Sequence, residues 1–320
     1  MVWFDLDGIC LERMPYHRTM NTPLPPALQA DLHFLSGDSG RIAVYSGGSG
    51  PPVLLVHSIN ALASAAEVRP LFEALCQGHS VYALDLPGYG LSDRLPRAYT
   101  VGDMCQAIRL VSLWAAERHP GQPLQVVGVS LSCEFVARVA QQTPELFAAL
   151  ALVSPTGFRG GKSLRKPEGS TFFMAGFDRF LRGPGPAWGR FLFRQLSRPS
   201  VVRYFLRRTW GGKEIDETLW AYAVRTAHVP NAEQAPLSFL SGGLFSADMH
   251  NVYESLRVPV WVVHGTRGDF TDYRALDLVR DLPNWQVTVM QAGAMPYFED
   301  IGTFMAAYRA FEASAFSPLA

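Results

Sequence analysis

Short runs of nearly unbroken apolar residues recur along the chain, at 41–45, 53–57, 81–85, 124–129, 148–153, 258–264 and 286–290. A strand that can show no polar face must be covered on both sides, so runs of this kind predict a sheet buried on both faces. Between them lie amphipathic patterns of helical period at 63–77, 101–118, 132–142, 273–281 and 301–313. Strand–helix alternation of this sort predicts an α/β protein with a mainly parallel, doubly wound sheet. The segment 158–251 breaks the alternation with helix-like sequence bounded by glycines and prolines. It is expected as a helical cap inserted into a core formed by 41–157 and 252–320, with 1–40, punctuated by Pro23, Pro25 and Pro26, as an arm on the surface.

Charge narrows the partners. The 320 residues carry 28 basic and 28 acidic side chains, a balance that argues against a nucleic-acid binder. The 48% hydrophobic share excludes global disorder. No apolar run approaches the ~18–20 residues that span a bilayer, and the start, Met1 to Asp7, has acids where a signal peptide has none. Cys10, Cys76, Cys105 and Cys133 show neither disulfide nor metal spacing, so reduced thiols, a cytoplasmic location and no metal or cofactor are expected. The local balance is different. Between Phe158 and Lys213, thirteen Arg and Lys face only Glu168 and Asp178, a net charge of +11, with eleven aromatic residues interleaved. Such a stretch suits a packed insert with a solvated basic side, an anion-attracting mouth, or peripheral contact with a membrane surface.

The most informative stretch runs from Leu124 to Ser132, LQVVGVSLS, straight into a helical pattern. A buried strand, a Gly-x-Ser-x-small turn and a helix make a nucleophile elbow, in which the residues two before and two after the nucleophile must be small. Gly128 and Ser132 meet that demand. Ser130 would then stand at a helix N-terminus, where the Leu131 N–H favours a developing oxyanion.

Three further stretches accompany the elbow in order: Val53 to Asn60 (VLLVHSIN), Asp85 to Asp93 (DLPGYGLSD) and Val260 to Asp269 (VWVVHGTRGD). Together they resemble the α/β-hydrolase family, from about Arg41 to Ala313: the strand with its oxyanion loop (Ser58 standing where Gly is usual), the D-x-P-G-x-G-x-S loop, and the late strand before the triad acid. The resemblance implies Ser130 as nucleophile, Asp269 as the acid that orients a histidine, and the backbone N–H groups of Ile59 and Leu131 as oxyanion donors. It implies a small-molecule substrate, an apolar ester, thioester or ketone, bordered by His57 and Ser58 and enclosed by cap aromatics such as Phe172, Phe173 and Trp188. His57 and His264, at strand ends, are expected to brace loops.

The base is missing. In this fold the histidine follows the acid in the chain, yet all eight histidines precede Asp269. The loop that should carry it, Gln291 to Asp300, reads QAGAMPYFED, and the resemblance places Tyr297 at the histidine's position. Loss of the base costs up to about 10⁶ in turnover, and a phenol with pKa near 10 is mostly protonated at neutral pH. The alternatives are an impaired hydrolase, a repurposed cyclase, lyase or isomerase with Tyr297 as acid or positioner, and a ligand-binding pseudoenzyme. His228 or His250, at the far end of the cap, is a further candidate base. Phe4 to Gly8 resembles the first motif of haloacid-dehalogenase-type phosphatases, without its companion residues.

Overall fold

The computed structural model describes residues 23–158, 165–183, 188–268 and 272–316. Eight strands form one sheet: β1 (Asp31–Gly37), β2 (Gly40–Gly47), β3 (Pro52–Val56), β4 (Ser80–Leu84), β5 (Leu124–Val129), β6 (Phe147–Val153), β7 (Val260–Gly265) and β8 (Trp285–Met290). The order is β1-β2-β4-β3-β5-β6-β7-β8; β2 pairs antiparallel with β1 and β4, and every other pairing is parallel. From β3 the chain winds to β4 on one side and to β5, β6, β7 and β8 on the other. The switch point, where a doubly wound sheet opens a crevice, therefore lies between the carboxyl ends of β3 and β5.

Alternate residues of each central strand enter separate cores. Leu54, Val56, Val126, Leu150, Leu152, Val260 and Val262 face one side. Val53, Leu55, Val127, Val129, Ala151, Val153, Trp261 and Val263 face the other. The first core is closed by α2 (Val101–Arg118), α3 (Ser132–Gln142) and α9 (Met249–Ser255), the second by α1 (Arg69–Leu75) and α11 (Ile301–Ala315). Trp261, fully buried, packs on Phe304, Tyr308 and Phe311 of α11. The short α10 (Pro296–Glu299) leads into α11. Between β6 and α9 the described chain forms α4 (Ala175–Arg182), α5 (Trp188–Leu196), α6 (Pro199–Trp210), α7 (Glu217–Thr226) and α8 (Gln234–Leu240), which lie over the carboxyl ends of the strands.

Three local expectations change. Asp31–Gly37, read as part of a surface arm, is the edge strand β1; its burial alternates weakly because it lies outside the covered sheet, so it shows no apolar run. The 63–77 helix divides into a 3-10 turn, Ala65–Val68, and α1, which begins at Arg69 with Pro70 in its first turn. The 273–281 segment holds a 3-10 turn, Leu276–Leu278, in place of an α-helix.

Candidate active site

Ser130 directly follows β5 and is one of three non-glycine residues with a left-handed backbone among the described residues, φ 55°. An L-residue pays for that conformation, and such strain persists only where the surroundings over-determine it. Here the Ser130 N–H donates to the Val153 carbonyl at 2.8 Å and its own carbonyl accepts from Cys133 N at 3.1 Å. Gly128 sits in close quarters: a Cβ there would meet Val136 at 3.2 Å and the Cys133 backbone at 3.3 Å, tight contacts that favour a small residue. Ser132 does more than stay small, because its Oγ donates to the His57 carbonyl and ties the elbow helix to the end of β3. Cys133 is a buried spacer whose thiol burial pushes well above its ordinary pKa.

The loop after β3 is held as firmly. His57 is fully buried; its Nε2 accepts the Leu86 N–H at 3.0 Å, so Nδ1 carries the proton and donates to the Ser58 carbonyl at 2.6 Å. Both ring nitrogens are thus spent on loop geometry. Glu67, a residue with no sequence motif to mark it, completes the brace: Oε2 accepts the Ser58 N–H at 3.0 Å and Oε1 accepts the Asn60 amide at 2.6 Å. The N–H groups of Ile59 and Leu131 have no hydrogen-bond acceptor among the described residues, and both residues line one cavity with Ser130. Asp85 and Ser92 of the neighbouring loop are structural: the Asp85 carboxylate accepts from Ala65 N, Leu91 N and the Tyr45 hydroxyl.

That cavity has a volume of about 370 Å³. Its floor is Ser58, Ile59, Asn60, Glu67, Ser130, Leu131 and Thr156, and its roof comes from Leu196, Val202, Phe205, Leu206, Thr209, Leu219, Ala223, Phe239 and Leu240. Among the described residues, no Arg, Lys or His is on the wall. Phe172, Phe173 and Trp188, expected as its enclosing aromatics, sit on the outside of the helical insert at 40–50% exposure. His57 and His264 also stay off the wall; His264 stacks on Tyr273 and bonds the Gly265 carbonyl through Nδ1.

Tyr297 is placed differently from the expectation. It sits in the first turn of α10, 1% exposed, packed edge-on against Phe304, and its hydroxyl donates to the Glu67 carbonyl at 2.9 Å. Burial pushes its phenol well above the ordinary range. From 291–300 only Ala294 and Met295 reach the cavity. Ala294 is pinned by its N–H to the Thr209 carbonyl at 2.8 Å and by its carbonyl, which accepts Ser154 Oγ at 2.7 Å. Asp269 lies outside the described residues; Gly268, just before it, has its Cβ position 3.7 Å from the Ala294 nitrogen. His228 is exposed, His250 is buried in α9, where desolvation lowers its pKa, and neither touches the cavity.

The sheet and the elbow agree with a family model described as alpha/beta hydrolase fold, which matches residues 51–300. The chain belongs to the α/β-hydrolase fold family. Among its relatives, an uncharacterized protein of Mycobacterium tuberculosis (strain ATCC 25618 / H37Rv) is 34% identical over 148 residues, 46% of this chain and 40% of that one. The match thus spans less than half of that relative's length. The 2-(acetamidomethylene)succinate hydrolase of Mesorhizobium japonicum is 26% identical over 284 residues, covering 85% of this chain and 92% of the enzyme. The crystal structure of a meta-cleavage product hydrolase from Pseudomonas fluorescens IP01 superposes with a TM-score of 0.66 at 17% identity, covering 88% and 98% of the two chains. At that identity the likeness is one of fold. Hydrolases thus surround this α/β-hydrolase, and among the described residues no helix is long and apolar enough to cross a membrane.

Proposed function

We propose that this α/β-hydrolase engages a small, uncharged, apolar carbonyl compound, an ester, thioester or ketone, at Ser130 and the Ile59 and Leu131 N–H groups. Hydrolysis is impaired because the place of the general base is taken by Ala294. The observation that carries this reading is the position of Ala294: on the cavity wall with Ser130, and beside the loop that leads to Asp269. Tyr297, a core residue bonded to a backbone carbonyl, does not line the cavity. The Mesorhizobium relative's name describes a substrate with two carboxylates. Among the described residues this cavity offers Glu67 and no cation, and against that lining a dianion would enter unpaired at a cost of about several kcal/mol by desolvation. A neutral substrate fits better.

The test is hydrolysis of short and medium p-nitrophenyl esters by the wild type, Ala294→His, Tyr297→His and Ala294→His/Ser130→Ala. Ala294→His is expected to raise turnover by at least about 10², part of the up-to-10⁶ effect of a complete triad; the double variant should fall back. A gain from Tyr297→His alone, or fast Ser130-dependent turnover by the wild type, would sink the proposal. A second reading, binding without turnover, draws on the wall itself. Glu67, the one ionisable side chain on it among the described residues, has both oxygens engaged by the loop it braces and is not free to accept a proton.

A further inference from the structure

Most of the exposed large hydrophobic side chains among the described residues lie on the helical insert. Phe177 and Phe180 on α4 and Trp188 and Phe191 on α5 form a row of rings, with successive centroids 6.4, 5.9 and 6.3 Å apart. Their exposure runs from 37% at Phe177 to 55% at Phe191. Phe172, Phe173 and Met174, just before α4, are exposed as well. The row is not the by-product of a loose helix. The opposite faces of α4 and α5 are buried through Leu181, Gly189 and Phe193, and Arg182 clamps α4 to α8 through the Gln234 side chain and carbonyl and the Ser238 hydroxyl. Four large rings held out in water cost free energy unless something covers them.

The charges around the row say what covers it. Arg179, Arg194 and Arg198 are exposed and have no acidic partner among the described residues. Arg203 and Arg190 are paired with Glu217 and Glu233. A second copy docking through the same face would bring these cations against their own images, since a two-fold contact sets each patch on itself. Aromatic rings flanked by snorkelling arginines are instead the composition that settles in the headgroup region of an anionic bilayer. The site lies next to the cavity: α5 carries Trp188 and Phe191 outward and Leu196 onto the cavity wall, and Phe205 of α6 both lines the cavity and is 41% exposed.

We propose that the Phe177–Phe180–Trp188–Phe191 row, with Arg179, Arg194 and Arg198, docks this protein on anionic membrane surfaces. Docking sets the Phe205 side of the cavity against the acyl region, from which an apolar substrate can partition without crossing water. The proposal is independent of how the substrate is turned over.

It is tested by sedimentation of the full-length protein with phosphatidylcholine vesicles, with and without phosphatidylserine, in low and high salt. Binding to phosphatidylserine vesicles should exceed binding to phosphatidylcholine at least tenfold in low salt, and high salt should remove most of the difference. Phe180→Ser/Trp188→Ser should lose binding to both kinds of vesicle. Arg179→Glu/Arg194→Glu should lose the preference for phosphatidylserine. The altered side chains are exposed, so both variants are expected to keep the wild-type thermal melt, and Phe191→Ser serves as a milder variant if either melts early. No binding to anionic vesicles overturns the proposal. So does concentration-dependent dimerisation that Phe180→Ser/Trp188→Ser abolishes while vesicle binding is absent, because the occupant is then a second copy.

Discussion

The two walls of the cavity are built to different standards. On the elbow side nearly every polar group is spoken for. Ser130 is strained and clamped, Ser132 holds the His57 carbonyl, His57 spends both nitrogens, and Glu67 fixes Ser58 and Asn60. Deeper under this wall, Glu134 accepts from Thr156 Oγ1 at 2.6 Å and from Ser246 N at 2.9 Å, while Arg138 one turn on pairs with Asp248. Facing it, 291–295 presents a methyl group and a thioether. A chain that binds a polarised carbonyl needs the first wall; only a chain that moves protons needs more from the second. On the proposed reading, the difference teaches that binding geometry and proton transfer rest on separate segments and can be lost separately.

Three experiments sharpen that contrast by stability, after the turnover test of Ala294→His. The largest effect belongs to Glu134. Desolvation raises its carboxyl to about 7, so the folded state holds a proton that the unfolded carboxyl, near 4.5, has released. Stability is then greatest below the unfolded value, falls as pH rises toward 7 and is level above it, by about 3 kcal/mol at ~1.4 kcal/mol per unit. Denaturant midpoints at acidic and mildly alkaline pH should show this fall for the wild type and most of it should vanish in Glu134→Gln; equal pH slopes would refute it. Next comes Glu67→Ala, which leaves the buried Ser58 N–H and the Asn60 amide without their acceptor. A loss of about 1–3 kcal/mol is expected, and in the Ala294→His background a further drop in kcat, as the loop after β3 loosens. Unchanged kcat would mean Glu67 is structural only. The smallest effect is reserved for Tyr297→Phe, which deletes one hydrogen bond to the Glu67 carbonyl: about 1 kcal/mol, with kcat in the Ala294→His background unmoved. A large kinetic effect there would return Tyr297 to the chemistry.

Which parts of the molecule sequence could reveal follows from the same contrast. The elbow is legible because its constraints are local: Gly128 and Ser132 flank Ser130 within five residues, and the strand before them is apolar throughout. The sheet is legible for the same reason, except β1, whose Asp31–Gly37 alternates too weakly to stand out at an exposed edge. The base position is not legible in this way. Whether Ala294 or Tyr297 meets the cavity depends on where α10 begins, and Pro296 starts that helix so as to turn Tyr297 into the core. Glu67 is silent in sequence because its partners belong to a loop it meets only after folding. The cap aromatics mislead for a related reason. An apolar ring signals burial against something, and sequence does not say whether that something is the same chain; Phe172, Phe173 and Trp188 were expected inward and face out.

The contact between α6 and the loop after β8 has a mechanical meaning. Thr209 takes the Ala294 N–H, and a Cβ on Gly293 would lie 2.3 Å from the Trp210 carbonyl, so helix and loop touch backbone to backbone. The roof of the cavity and the place that the proposed reading gives to a proton acceptor are therefore joined. If α6 lifts to admit a ligand, that place lifts with it, and it regains its distance from Ser130 only when the roof is shut. On that reading, an α6 that lifts with this contact intact would make opening and assembly of the site exclude each other.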